Sequence, residues 1–109
     1  MTIQIQNEVV NYLNSGARVD FFYVKGTALE SVIEMIDSPL PAITDIKIKV
    51  LYQNEGDVIK EYTINQAPSN QFTWSIAVAD FANNKALNYW VEAVDQDDHL
   101  LFYGSFTIN

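Results

Sequence analysis

Few residues in this chain of 109 are of types that do chemistry, and their spacing limits what that chemistry could be. His99 is the single histidine. A Ser-His-Asp hydrolytic site would have to use it, yet no Gly-x-Ser-x-Gly elbow is present. The absence of cysteine excludes a thiol nucleophile, a thiolate metal site and a disulfide framework. His99 therefore reads as a solvent-facing turn residue. Asp95, Asp97 and Asp98 form the densest acidic cluster. Calcium needs more oxygen ligands than three carboxylates supply unaided, and the spacing fits no complete calcium loop. Capping of turn amides is the preferred role for these aspartates, and calcium the lesser one. Glu30 with Glu34, and Glu55 with Asp57 and Glu61, could pair for acid–base work, but nothing places either set in a cleft. No phosphate loop or dinucleotide fingerprint occurs. The expectation is a protein that is not an enzyme and carries no cofactor.

Six basic residues against fourteen acidic ones give a net charge of −8. Nucleic acid and anionic membrane surfaces both need a cationic face, which Arg18 and five lysines do not supply, so neither is an expected partner. A basic protein partner fits the charge, as does plain solubility. Hydrophobic residues at 49% and aromatics at 13% indicate one packed domain over residues 1–109. The N-terminus has no basic start followed by an apolar run of signal-peptide length, and no segment is long and apolar enough to span a membrane. The expected location is cytoplasmic if the chain is complete, and extracellular if it is one module of a larger exported protein.

The elements that would position these residues are strands. In Leu87–Asp95, Leu87, Tyr89, Val91 and Ala93 alternate with Asn88, Trp90, Glu92 and Val94. After a turn at Gln96–Asp98, Leu100, Phe102, Gly104, Phe106 and Ile108 alternate with Leu101, Tyr103, Ser105 and Thr107. A period of two makes this a β-hairpin. Asp45–Gln53 is a half-buried strand with Ile46, Ile48, Val50 and Tyr52 inward and Lys47, Lys49 and Leu51 outward. The turn Asn54–Asp57 has Gly56 free to take positive φ, and Val58–Ile64 is the return strand. Phe72, Trp74, Ile76 and Val78 share one face of a further strand, followed by a polar loop over 80–86. Residues 18–24 place Val19, Phe21 and Tyr23 on one side of a strand. The remainder of the N-terminal 25 residues holds a short strand at 2–6, and either a strand or a short helix at 7–14.

The pattern Tyr89-x-Val91-x-Ala93-x-Asp95, then a polar turn and a last strand, resembles the final hairpin of bacterial immunoglobulin-like and fibronectin type III-like sandwiches. The resemblance extends over residues 28–109 and departs at the turn, where Gln96, Asp97, Asp98 and His99 stand in place of the usual glycine. It implies that Tyr89 closes a corner by bonding the backbone. Thr27–Asp37 is a conflict. A capping box at Thr27 and Glu30, and helical spacing of Leu29, Val32, Ile33 and Ile36, favour a helix. Alternation of Leu29, Ser31, Ile33 and Met35, and consistency with the other strands, favour a strand, which is the expectation. The fold class is then all-β, a two-sheet antiparallel immunoglobulin-like sandwich of about seven strands. Its expected core is Ile33, Ile46, Ile48, Val50, Trp74, Ile76, Tyr89, Val91, Phe102 and Phe106.

Parity then forces Trp90 outward. With the strand order of that family, Leu51, Leu101 and Tyr103 are its outward neighbours. Such an apolar face is either covered by the N-terminal segment, covered by a second subunit in a homodimer, or used for binding. Trp90, Tyr103, Leu51 and Leu101 are the candidate site residues. The expected function is a non-catalytic binding or assembly module, such as a glycan-binding accessory domain. The alternative is a stand-alone acidic domain that binds or inhibits a basic protein.

Overall fold

In a computed structural model, which describes residues 3–11, 17–36, 45–65 and 71–109, period-two alternation prevails and builds eight strands. They are β1 (Ile3–Asn11), β2 (Phe21–Tyr23), β3 (Ala28–Ile36), β4 (Asp45–Leu51), β5 (Val58–Asn65), β6 (Gln71–Ile76), β7 (Asn88–Asp95) and β8 (Leu100–Ile108). One sheet runs β1-β3-β6 and the other β2-β8-β7-β4-β5. The ladders β3–β6, β4–β5, β4–β7 and β7–β8 are antiparallel, whereas β1–β3 and β2–β8 are parallel. Residues 12–14 of the open N-terminal segment lie outside the described residues, as does Asp37 at the end of the helix–strand conflict.

The helix–strand conflict at Thr27–Asp37 resolves, over Ala28–Ile36, to a strand for a non-local reason. β3 is the centre of its sheet, and both of its edges are taken by partners. Leu29, Ser31, Ile33 and Met35 are buried, while Ile36, which a helix would have buried, is 43% exposed. Between the sheets, all ten residues of the expected core are buried. Trp74 bridges the layers, with its ring centroid 5.2 Å from Phe21, 5.4 Å from Tyr62 and 5.7 Å from Phe106. The loop after β6 is less polar than its sequence suggests. Its Phe81 is buried and packs 5.2 Å from Phe106 and 5.6 Å from Tyr23. The Tyr89 hydroxyl donates to the Lys85 carbonyl at 3.1 Å, which is the expected corner.

Two local expectations need correction. Tyr52, expected inward, is 54% exposed, because the β4–β5 ladder shifts register between Val50 and Leu51 and interrupts the alternation, whereas Leu51 keeps its outward place opposite Trp90 and is buried there. In the turn that follows, Glu55 takes the left-handed backbone (φ 61°), not Gly56. Gly56 is needed for space instead: its N–H donates to the Gln53 carbonyl at 2.7 Å, and a Cβ there would lie 2.9 Å from the Gln53 side chain. Of residues 18–24, only 21–23 join a ladder, with Arg18 making an isolated bridge to Tyr103. Val19, Phe21 and Tyr23 do face the core as expected.

β1 reverses the usual amphipathic sense. Gln4, Gln6, Glu8 and Val10 lie on the inner face, opposite Leu29, Ser31, Ile33 and Met35 of β3. The amides there do structural work. Gln4 Oε1 accepts from Val24 N at 3.3 Å and Thr27 Oγ1 at 3.2 Å. Gln6 Nε2 donates to the Asp20 carbonyl at 3.0 Å and to Glu8 Oε1 at 2.8 Å. Polar groups thus satisfy the backbone flanking β2, and parity sends Ile3, Ile5 and Val9 outward.

Candidate functional site

The hairpin β7–β8 puts Trp90 on the outer face of the five-stranded sheet, since Tyr89 and Val91 on either side are buried. The register sets Trp90 against Leu51 of β4 and Ser105 of β8. Tyr103 lies on the same face, its ring stacked on Trp90 at 5.5 Å and 27°. Segment 17–19 runs alongside, with Val19 N donating to the Tyr103 carbonyl at 2.9 Å and Tyr103 N to the Ala17 carbonyl at 3.0 Å. This places the Arg18 guanidinium 5.6 Å from the Trp90 ring centroid, a cation–π contact. Coverage by the N-terminal segment is therefore realised in part, and Trp90 stays half-buried. Its Nε1–H is buried with no acceptor among the described residues.

Of the four expected site residues, Trp90, Tyr103 and Leu51 share this face, although Leu51 is buried. Leu101 does not share it. The β7–β8 ladder pairs Ala93 with Phe102 and Val94 with Leu100, so Leu101 is an extra bulged residue and packs into the core at 1% exposure. Arg18 completes the face. No local stretch of sequence signals this, because only the return of segment 17–19 alongside β8 brings Arg18 to the face.

Asp20 anchors this cover. Its Oδ1 accepts from Ser105 N at 3.0 Å, Ser105 Oγ at 3.1 Å and Arg18 Nε at 3.0 Å. The Ser105 backbone N–H, more than any other cause, holds its carboxyl below the ordinary carboxylate range. A carboxyl depressed by folding stabilises the native state above its unfolded pKa and loses that contribution as pH falls through the folded one. Acidification below about pH 4 is thus expected to loosen segment 17–20 from β8. A red shift in emission from Trp90 as Arg18 withdraws would report it, and an unchanged spectrum down to the acid unfolding transition would count against it.

The acidic turn caps backbone. Asp95 is buried at 3% exposure, and its Oδ1 accepts from Asp97 N at 2.9 Å and His99 N at 3.0 Å. Asp98 takes the left-handed conformation (φ 60°) that glycine usually supplies. Asp97 and Asp98 are exposed and His99 is half-buried. Among the described residues, no three acidic or histidine side chains converge on one point. Asp95→Ala should cost about 1–3 kcal/mol, because it strands two turn amides. Chemical denaturation would measure this, and a cost near zero would mean the turn is held otherwise. Asp80 serves other strands: its Oδ2 accepts from the Tyr62 hydroxyl at 2.9 Å and from Ala77 N at 3.1 Å, with Lys60 Nζ 3.9 Å from Oδ1. Burial first, and then the Asp80 bond, push the Tyr62 hydroxyl far above its ordinary value. Glu30 and Glu34 lie exposed on the outer face of β3, and Glu61 sits 3.7 Å from Lys47.

A second apolar surface went unread in the sequence. On the outer face of the three-stranded sheet, Ile3 is 47%, Ile5 69%, Val9 63% and Ile36 43% exposed. The signal was present as the alternation of Ile3 and Ile5 with Gln4 and Gln6, but the usual rule would have turned the isoleucines inward.

No protein-family model and no curated protein matches the chain. Solved structures do share its architecture. The extracellular domain of mouse leukocyte-associated immunoglobulin-like receptor 1, determined as a strand-swapped dimer, matches with a TM-score of 0.55 and 9% identity, over 83% of this chain and 79% of that one. The N-terminal domain of phage TP901-1 ORF48 matches with a TM-score of 0.55 and 11% identity, over 100% of this chain and 99% of that one. The fold is an immunoglobulin-like β-sandwich.

Proposed function

We propose that this domain is a non-catalytic interaction module that assembles with other protein through its sheet surfaces. The observation that carries the reading is the distribution of exposed apolar side chains. Ile3, Ile5, Val9 and Ile36 form an apolar row on one sheet face, where a self-contained sandwich usually presents polar residues. The aspartates that could have done chemistry are instead occupied with backbone: Asp95 in its turn, Asp80 at Ala77 and Asp20 at Ser105. The end-to-end likeness to a domain of a phage protein, and the strand-swapped dimer formed by the mouse receptor domain, support a module that associates through strands. A fibronectin type III-like affinity belongs to the same proposal, supported by the Tyr89 corner.

The glycan-binding reading is supported by the stacked Trp90 and Tyr103 rings. Against it, the Arg18 guanidinium already lies over the Trp90 ring, the surface on which a sugar would stack. A glycan array separates the two. The protein-assembly reading expects no sugar signal from the wild type. A signal that disappears in a folded Trp90→Ala variant would replace it with the glycan reading.

A further inference from the structure

We infer that β1 is a self-complementary edge that pairs antiparallel with β1 of a second copy, joining two three-stranded sheets into one of six strands. The inference rests on the interaction-module reading and names its partner. β1 is an edge, since the sheet order is β1-β3-β6. It pairs with β3 residue for residue from Ile3 to Asn11 without a bulge, and contains no proline, glycine or lysine. Soluble proteins protect edges with short strands, lysine, proline or bulges, because a long flat edge templates pairing with another chain. Two of the other edges carry such protection: β2 has three residues, and β5 has Lys60 and a register shift. β6, at six residues, is shorter than β1 and presents the polar Gln71, Thr73 and Ser75 on its outer face.

The sequence of β1 suits a copy of itself. With the two-fold axis at Asn7, Ile5 stands opposite Val9 of the other copy, Ile3 opposite Asn11, and Glu8 opposite Gln6. Ile5 meets Val9 on the outer face, apolar on apolar, while Ile3 meets the polar Asn11, and the single charge of the strand meets an amide that already donates to that carboxylate within one chain at 2.8 Å. A register centred on Glu8 would set two carboxylates face to face, which is destabilising. Because the chain carries a net charge of −8, two copies repel in general, and a strand with a single charge adds little to that repulsion.

Asn7→Cys tests the register directly, since the chain has no other cysteine and Asn7 is exposed. Residues directly opposite in an antiparallel pair have Cα atoms roughly 4.5–5.5 Å apart, within disulfide reach. Under mild oxidation Asn7→Cys is expected to form covalent dimer at least about tenfold faster than Thr73→Cys on the β6 edge, reflecting its higher effective concentration. Sedimentation equilibrium of the wild type should give a dimer mass, and Ile5→Lys, with unchanged circular dichroism, a monomer mass. Equal cross-linking rates at the two positions overturn the inference. So does a wild type that stays monomeric at about 1 mM, a measurement that needs no variant. Either outcome leaves the module reading standing. That reading fails separately, if the glycan array gives a signal dependent on Trp90.

Discussion

Gly104→Ala is expected to lower the melting temperature by roughly 15–30 °C or to prevent folding. A Cβ at this position would lie 1.9 Å from the Val19 carbonyl oxygen and 2.6 Å from its carbon, and 3.0 Å from Asp20 Oδ1. The first two are backbone atoms. Segment 17–20 cannot step aside, because Tyr103 bonds both Ala17 and Val19, and Ser105 bonds Asp20. Overpacking costs about 1–3 kcal/mol on its own. Relief by breaking these hydrogen bonds adds about 1 kcal/mol for each bond lost. A total near 3–5 kcal/mol, at roughly 5–6 °C per kcal/mol for a domain of this size, gives the stated fall. Gly26→Ala is a useful comparison. Nothing lies within 4 Å of its Cβ position, so only the left-handed backbone (φ 84°) opposes it, at about 1–2 kcal/mol. Thermal melts of both variants by circular dichroism would decide. A fall below about 5 °C for Gly104→Ala would mean that segment 17–20 does not lie against β8. If the variant does fold, Arg18 should leave Trp90, which ties this packing detail to the candidate site.

Trp74→Ala should be nearly as damaging, at about 3–5 kcal/mol. That is a large share of the roughly 5–15 kcal/mol that holds a domain together. Trp74 belongs to the three-stranded sheet, yet its ring meets Phe21, Tyr62 and Phe106 of the other sheet. Its removal would empty the space between the layers at a point where both converge. Its Nε1–H is buried and has no acceptor among the described residues. Trp74→Phe therefore keeps part of the packing and discards an unpaired polar group, and should cost under about 2 kcal/mol. Denaturant titration of the two variants measures both. Equal losses would show that the indole nitrogen, rather than the ring's bulk, holds the site.

How far the sequence disclosed this can be judged residue by residue. Where alternation is regular and both flanks are polar, as at Ile46–Val50, Phe72–Ile76 and Tyr89–Ala93, the burial on each side follows the period of two. Prediction fails where the chain adds a residue to one strand of a pair. The shifts at Val50/Leu51 and Ala93/Val94 are ladder events, set by the partner strand, and they carried Tyr52 and Leu101 away from the faces that parity assigned, while Leu51 kept its place opposite Trp90. Thr27–Asp37 has a helix-compatible sequence, yet its residues Ala28–Ile36 become a strand because β1 and β6 occupy the two edges, which no local window contains. Trp90 and Tyr103 were legible as a pair because both sit on the regular part of the hairpin. Arg18 was not, since only the parallel return of segment 17–20 against β8 brings it there. The apolar row on β1 was hidden by the rule that apolar residues turn inward. Gln4 and Gln6 occupy the inner positions because the backbone around β2 needs hydrogen-bond partners.

The central claim is that the domain associates through strand surfaces, with β1 foremost. Amide hydrogen exchange on the intact wild-type chain, at a low and a high protein concentration, tests it most directly, because pairing at an edge protects the amides of that edge. Exchange across Ile3–Asn11 should slow as concentration rises, while β5 and β6, at the other edges, keep their rates. Rates across β1 that do not depend on concentration, or slowing confined to Trp90 and Tyr103, would contradict it.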